Sequence, residues 1–274
     1  MFNSENRINK KVGNMKIQLI DRNKEMYNQW NLQFKDCKDV ITHCGDFFSL
    51  KTDCVVSPAN SFGYMDGGLD MVISRKLGWQ VQEKLQKQIQ EKYFGELLVG
   101  QAELVETDLA EIPFCISAPT MRVPQILKDT VNVYLASKAI FYLLKKENRI
   151  KTVTISGLGT GVGQVPYDVC AKQMKQAYTD IWLNEYVFPN TWHEAQTNHQ
   201  LLYSNDYRDL QKIAKEIAAV LPCPFCDKEP FEGRTKDGRF TIKCYDCGVE
   251  MIQDRRDKVK YHWNARHGST TNPH

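Results

Sequence analysis

Two Cys-x-x-Cys pairs near one end of the chain constrain its fold more than any other feature. The pairs are Cys223-Pro-Phe-Cys226 and Cys244-Tyr-Asp-Cys247, with residues 227–243 between them. This is the spacing of two turns that close on one tetrahedral zinc ion. Four thiolates leave no open coordination position, so the zinc would be structural. The sequence therefore predicts a small metal-stabilised module, because so short a segment has too little apolar core to fold without a crosslink.

The remaining cysteines and the net charge narrow the class of protein. The total of nine cysteines is odd, and five of them are scattered, which favours reduced thiols and one metal site over a disulfide framework. The net charge of +3 is too small to indicate a nucleic-acid or membrane partner. No apolar run approaches the roughly 18 residues that span a bilayer, and the first residues do not resemble a secretory signal. We therefore expect a cytosolic protein.

Upstream of the cysteine pairs, short apolar segments alternate with amphipathic ones. Strands are predicted at residues 16–20, 39–43, 53–57, 112–118 and 152–156, an extended segment at 95–107, and helices at 24–35, 70–77, 80–92, 130–146 and 168–183. Such alternation places helices on both faces of a largely parallel or mixed sheet. The predicted fold class is therefore α/β.

The sequence also predicts the domain boundaries. Residues 184–203 show no clear period, and Asp206 to Val220 form a charged amphipathic helix that Pro222 ends. The predicted parts are a flexible tail (1–14), a large domain (15–200), a helical linker (201–220), the metal module (221–267) and a second tail (268–274).

Two glycine-rich loops each follow a predicted strand and precede a predicted helix. The first loop is Ser57 to Asp70, and the second is Gly157-Leu-Gly-Thr-Gly-Val-Gly163. Such turns expose free backbone N–H groups at the positive end of a helix, where a phosphate is stabilised. One loop alone is as typical of an α/β turn without ligand. Two loops at strand ends suit a pyrophosphate held between them.

The spacing of these glycines disfavours the commonest nucleotide-binding classes. Neither loop ends in Gly-Lys-Ser/Thr, as a P-loop would. The pattern Gly157-x-Gly159-x-x-x-Gly163 does not have the Rossmann spacing and lies late in the chain. A generic NTPase or dehydrogenase is therefore disfavoured, and we expect no redox cofactor.

Four motifs resemble the macrodomain family in order and spacing. They are Gly45-Asp46-Phe47, Asp53 to Asn60, Gly67-Gly-Leu-Asp70 and Gly157 to Gly163. The resemblance covers about residues 16–190 and implies a three-layer α/β/α domain with a mixed sheet that binds ADP-ribose or a derivative. It implies that Asp46 accepts from the adenine amino group and that Asn60 contacts the distal ribose. The other implied ligand-binding residues are Phe47, Gly67, Gly68, Leu69, Gly159, Thr160, Gly161, Val162, Gly163 and Gln164.

The resemblance further implies a catalytic pair, Asn60 and Asp70. In hydrolytic macrodomains an aspartate at this offset from the loop asparagine helps to position or activate water, as glycosidase carboxylates do. The implied activity is hydrolysis of an ADP-ribosyl linkage on protein, nucleic acid or a small molecule. Asp70 equally suits a first-turn helix residue stabilised by the helix dipole.

The loops also depart from the hydrolase pattern. Ser57 stands where hydrolases often have asparagine, and Gly163 stands where an aromatic residue often closes over the ribose. The alternative function is therefore a non-catalytic reader or sponge of an ADP-ribose signal. Tyr64, Phe62 and Trp192 could supply ring contacts or belong to the core. Arg122 could reach a phosphate or form a surface ion pair.

The cysteine module has a second resemblance. Cys-Pro-Phe-Cys226, Cys-x-x-Cys-Gly248 and Trp263-Asn-Ala-Arg266 are similar to the Lar-type restriction-alleviation zinc ribbons of phages and bacteria, over about residues 221–267. This resemblance implies a phage or prophage setting, a counter-defence role and the cytosol of a bacterium or an infected host. His262 and His267 could meet metal or phosphate or stay solvated.

The module's charges nearly balance, so strong nonspecific DNA binding is not expected, and docking of a protein or substrate is at least as compatible. A nucleic-acid-binding adaptor with the large domain as scaffold is a third alternative. No membrane partner is expected.

Overall fold

A computed structural model of the chain describes residues 15–204 and 220–265. Its backbone contacts divide the chain into two compact units, Met1–Tyr207 and Arg208–His274, called here the larger and the smaller unit. The predicted tails, all of the predicted 206–220 helix except Val220, and Arg266 and His267 lie outside the described residues. Within these ranges, no helix is long and apolar enough to span a membrane.

The larger unit is built on a six-stranded sheet. Its strands are β1 (Lys16–Asp21), β2 (Val40–Cys44), β3 (Cys54–Ser57), β4 (Glu103–Glu106), β5 (Phe114–Ser117) and β6 (Thr152–Ile155). They lie in the order β2-β1-β6-β3-β5-β4, and every neighbouring pair is parallel except the antiparallel pair of β4 and β5. The mixed sheet confirms the predicted fold class.

Helices cover both faces of this sheet. They are α1 (Lys24–Phe34), α2 (Gly68–Leu77), α3 (Gln80–Lys92), α4 (Asn132–Lys146), α5 (Tyr167–Ala177) and α6 (Trp192–Leu201), with a π-helical turn at Tyr178–Trp182. Side chains alternate between the faces along β3: Val56 packs with α1, α4 and α5, whereas Val55 packs with α2 and α3. The result is three layers, with one apolar core on each side of the sheet.

The sequence patterns miss two features of this unit. The predicted extended segment 95–107 contains only the short strand β4, and the aperiodic region 184–203 contains the helix α6. The side chain of Thr191 accepts from the Glu194 amide at 3.1 Å, and the Glu194 carboxylate accepts from the Asn190 amide at 2.7 Å. This cap starts the helix. Its apolar period is hidden because Trp192 is 77% exposed.

The smaller unit is a three-stranded antiparallel sheet with one helix. Its elements are β7 (Phe231–Arg234), β8 (Phe240–Lys243), β9 (Glu250–Gln253) and α7 (Arg256–Asn264). The core of this unit contains five fully buried side chains, those of Cys223, Ile242, Cys244, Val259 and Trp263. Trp263 Nε1 donates to the Leu221 carbonyl at 2.9 Å, and Asn264 Oδ1 accepts from the Leu221 amide at 3.0 Å. The Trp-Asn motif therefore ties α7 to the start of the unit.

Candidate functional site

A cleft of about 480 Å³ lies at the carboxyl ends of β1, β3 and β6. Sites in open α/β sheets occur at such strand ends. Every residue predicted to bind ligand or act in catalysis lines this cleft except Gln164. Gln164 instead adopts a left-handed backbone conformation, and its amide donates to the Gly161 carbonyl at 3.1 Å. Its observed contact is with the turn of the second loop.

The first loop presents the amino end of α2 to the cleft. Gly67 is the N-cap and makes no side-chain cap, and an added Cβ on Gly67 or Gly68 would meet no atom within 4 Å. The amides of Gly68 and Leu69 therefore have open space beside them. Within the described residues, these amides donate to no protein acceptor. This is the geometry of an anion site at a helix N-terminus.

Asn60 folds the first loop with its own carboxamide. Its Oδ1 accepts from the amides of Phe62 and Tyr64 at 3.1 and 3.3 Å, and its Nδ2 donates to the Tyr64 carbonyl at 2.8 Å. A carboxamide has two N–H donors, so one N–H remains for a ligand. Asn60 therefore supports the loop and lines the cleft at the same time.

The second loop presents a row of backbone amides. Within the described ranges, the amides of Thr160, Gly161, Val162 and Gly163 donate to no protein acceptor. Two glycines shape the loop: Gly159 has a φ of +70°, and a Cβ on Gly163 would lie 2.4 Å from the Gly159 carbonyl oxygen. In contrast, a Cβ on Gly161 would meet no atom within 4 Å.

Asp46 and Arg22 form an ion pair at the rim of the cleft. Arg22 hydrogen-bonds Asp46 Oδ2, and the Phe48 amide donates to Asp46 Oδ1 at 2.9 Å. The Arg22 hydrogen bond holds the pKa of Asp46 below its usual range. The ring of Phe47 is only 6% exposed and packs against Phe48 in the α2–α3 core, so little of it is available to a ligand.

Asp70 lies in the first turn of α2, against the end of β3. The hydroxyl of Ser57, the last residue of β3, donates to Asp70 Oδ1 at 2.6 Å. Burial raises the pKa of Asp70 to about 6, although hydrogen bonds from Ser57 and the Ala59 amide lower it. A carboxylate with such a pKa can exchange a proton near neutral pH.

The charged side chains of the cleft are mostly acidic. Asp21, Asp46, Asp66 and Asp70 line it, and Arg22, already paired, is the only lysine or arginine among its described lining residues. Side chains therefore supply little attraction for an anion. Any anion in this cleft would depend on the backbone amides of the two loops.

Sequence reasoning missed several lining residues, among them Asp21 and Arg22. Asp21 Oδ1 accepts from the Asn23 amide at 2.8 Å and Oδ2 from the Gly157 amide at 3.3 Å, so it joins the end of β1 to the second loop. The signal was available, because carboxyl ends of parallel strands meet at one edge of a sheet.

The alternative contacts weighed from the sequence divide into two groups. Tyr64 lines the cleft and is 55% exposed. Phe62, Arg122 and Trp192 do not line it. Arg122 forms a two-pronged ion pair with Glu96 and lies over the Phe62 ring. Its environment is therefore that of a surface ion pair.

The four cysteines of the smaller unit form one cluster. Their sulfur atoms all lie within 4.8 Å of one another, and the pairs Cys223–Cys247 and Cys226–Cys244 are each 3.4 Å apart. Asp227 and Gly248, which follow the two pairs, both have positive φ, so the two turns match. The amides of Asp227 and Gly248 donate to the carbonyls of Cys223 and Cys244. The cluster could hold a metal ion.

Comparison with known proteins addresses the larger unit. Residues 56–174 match the family model described as Macro domain. An uncharacterised protein of Aquifex aeolicus is 37% identical over 136 residues, which cover 50% of this chain and 78% of that protein. An uncharacterised protein of Aeropyrum pernix is 29% identical over 133 residues, 48% of this chain and 67% of that protein.

Solved structures with a related sheet and helix arrangement include two toxin-system proteins. The macrodomain of Mycobacterium tuberculosis DarG is 18% identical, with 50% of this chain and 88% of that chain covered and a TM-score of 0.44. Thermosipho africanus DarTG in complex with ADP-ribose is 20% identical, with 50% and 37% covered and a TM-score of 0.43.

Proposed function

This chain belongs to the macrodomain family, and on that premise we propose that its cleft binds ADP-ribose or a derivative and hydrolyses an ADP-ribosyl linkage. One observation carries the proposal. Free amides of two loops line a single cleft, and the buried carboxyl group of Asp70 lies beside them. The amides suit a diphosphate, and the carboxyl group suits proton transfer to or from water.

In this proposal the diphosphate lies between the two loops. Gly67, Gly68 and Leu69 would approach it from the amino end of α2, and Gly159 to Gly163 from the second loop. Gln164 would support this binding only by closing the turn. Because the lining is acidic, the amides would supply most of the attraction for the phosphates.

The adenine and the distal ribose would occupy opposite ends of the cleft. Asp46 can accept from the adenine amino group because each carboxylate oxygen accepts more than one hydrogen bond. Phe47 would contribute its backbone and ring edge. At the other end, the remaining N–H of Asn60 and the hydroxyl of Tyr64 would contact the ribose diol.

Asp70 would act on the water that attacks the anomeric carbon. A new C–O bond forms as the glycosidic bond breaks, and its electron pair leaves with the carrier group. The proton of the water passes to the Asp70 carboxylate, or the carboxylate stabilises the positive charge that develops on the sugar. Asn60 would orient the ribose for this step.

We further propose that the four-cysteine cluster holds one structural zinc ion. The sulfur separations suit a tetrahedral site with Zn–S bonds of about 2.3 Å. Four thiolates would fill the coordination sphere and leave no position for catalysis. The resemblance to Lar-type ribbons supports a phage or prophage origin, a cytosolic setting and a counter-defence role. The smaller unit would then dock a protein or nucleic-acid partner.

A reader or sponge that binds without turnover is the second candidate. The departures at Ser57 and Gly163 and the engagement of Asn60 in the first loop support it. Product formation separates the two functions.

Calorimetric titration of the zinc-loaded protein with ADP-ribose tests the binding proposal. We expect saturable binding that Gly161→Glu weakens by roughly 100-fold or more, equivalent to about 2.7 kcal/mol, because a negative charge enters the phosphate loop. Gly161→Ala is the matched control: its Cβ meets no atom within 4 Å, so it should bind almost as the natural protein does. Failure of the folded protein to bind ADP-ribose would exclude this ligand.

Turnover is then measured on ADP-ribosylated protein, nucleic acid and small-molecule substrates. We expect release of ADP-ribose from at least one substrate and its loss in Asp70→Ala. Binding without release from any of them would favour the reader.

A further inference from the structure

The contact between Ser57 and Asp70 joins the end of β3 to the first turn of α2. Ser57 is fully buried, and its Oγ lies 2.6 Å from Asp70 Oδ1. We propose that Ser57 is a positioning residue that keeps the Asp70 carboxylate ionised and fixed in orientation toward the attacking water, an inference that rests on the proposed hydrolase function. Ser57 does not touch the substrate in this proposal and acts only through Asp70.

The groups that face Asp70 explain why this bond matters. Burial is the largest influence and raises the pKa of Asp70, and the nearby Asp66 raises it further. Cys115 on β5 adds no charge, since burial raises the pKa of its thiol far above neutral. The remaining charged lining residues, Asp21, Asp46 and Arg22, belong to β1, β2 and the segment after β1.

Two hydrogen bonds oppose these influences, and only one comes from a side chain. The Ala59 amide is part of the backbone and is unchanged by most substitutions, whereas the Ser57 hydroxyl can be deleted. The protonated form of Asp70 cannot take the proton of the attacking water. The Ser57 hydroxyl therefore sets the fraction of the enzyme that is competent near neutral pH.

The chain offers a matched control one strand away. Ser117, the last residue of β5, pairs with Ser57 in the sheet register and is only 1% exposed. Residues paired in this way direct their side chains to the same face. Within the described part of the chain, the Ser117 hydroxyl has no hydrogen-bond partner. Ser57→Ala and Ser117→Ala thus remove the same atom from similar surroundings, and only the first removes a bond to Asp70.

The pH dependence of kcat/KM is the first test. We expect Ser57→Ala to move the acidic limb to higher pH by about one unit, since a hydrogen bond to a charged group is worth about that much. The rate should recover at high pH. Ser117→Ala should leave the limb in place, and Ser57→Thr, which keeps the hydroxyl, should restore it. An unmoved acidic limb in folded Ser57→Ala would overturn the proposal.

Direct titration of Asp70 separates this inference from the proposed function. Carbon-13 NMR of the side-chain carboxyl groups, without ligand, follows Asp70 in the natural protein and in the three variants. A higher pKa in Ser57→Ala alone supports the proposal, and an unchanged pKa overturns it. If no substrate is hydrolysed, the hydrolase function fails, and the NMR result still decides whether Ser57 controls the charge of Asp70. Thermal unfolding of each variant checks that it is folded.

Discussion

The cleft and the four-cysteine cluster hold their ligands in opposite ways. In the cleft, the groups suited to an anion are backbone amides on two loops of a unit that already has two apolar cores. In the cluster, the ligand atoms are side chains of a unit whose core contains five fully buried residues, two of them ligands themselves. Loss of ligand should therefore leave the larger unit folded and unfold the smaller one.

Metal removal should have the largest effect. Structural zinc contributes about 10–16 kcal/mol of apparent binding free energy in small modules, far more than five buried side chains can replace. We expect a strong chelator, or Cys244→Ser, to abolish the native NMR signals of the smaller unit while ADP-ribose binding persists. Cys44→Ser, which changes an exposed cysteine outside the cluster, is the control. Retention of the native signals without metal would break the comparison.

Trp263→Ala should have the next largest effect, confined to the smaller unit. Trp263 is fully buried and hydrogen-bonds the Leu221 carbonyl, and truncation of a buried tryptophan costs about 3–5 kcal/mol. We expect metal binding to weaken, as measured by competition with a chromophoric chelator. Tyr261→Ala on the same helix, where the ring is 62% exposed, should change affinity little. Equal effects of the two variants would contradict the proposed packing role.

Gly163→Ala tests whether the cleft depends on backbone shape. Its Cβ would lie 2.4 Å from the Gly159 carbonyl oxygen, so the second loop must shift, at a cost of about 1–3 kcal/mol. We expect a lower midpoint of thermal unfolding and much weaker ADP-ribose binding. Gly161→Ala, two residues earlier, should change neither. Normal binding by Gly163→Ala would show that the loop adapts.

Asp70→Asn should have the smallest effect, and the sign is stabilising. The pKa of Asp70 is about 6 in the folded chain against a reference of 3.8. The ionised form is therefore disfavoured by folding, and this cost is absent below pH 3.8 and complete above pH 6. At about 1.4 kcal/mol per unit, Asp70→Asn should stabilise the larger unit by roughly 1–3 kcal/mol at pH 8. The gain should disappear at pH 3.5; denaturant unfolding at both pH values checks this.

Much of the fold could be predicted because the apolar period is strong where helices and strands are buried. The helix predicted at 80–92 has these limits in the structure, and the predicted strand at 53–57 begins only one residue early. The helix α6 could not be found from period, since Trp192 and Leu201 are exposed. Its start was nevertheless readable from Thr191-x-x-Glu194, a capping motif.

The candidate site was predictable in position but not in its internal contacts. Motif order placed Asn60, Asp70 and Gly161 in one region, and all three line the cleft. The use of the Asn60 carboxamide within its own loop depends on a turn geometry that spacing does not reveal. The bond between Ser57 and Asp70 likewise depends on how α2 packs on β3.

The row of amides in the second loop also bears on how such sequences diverge. Every residue except proline carries a backbone N–H, so exchange of Thr160 or Val162 for most other residues would keep the groups that face the cleft. Only Gly159 and Gly163 are fixed by conformation or close contact. A lineage could therefore drift through many substitutions here without losing its ligand. Relatives that match at 22–37% identity are what such drift would leave.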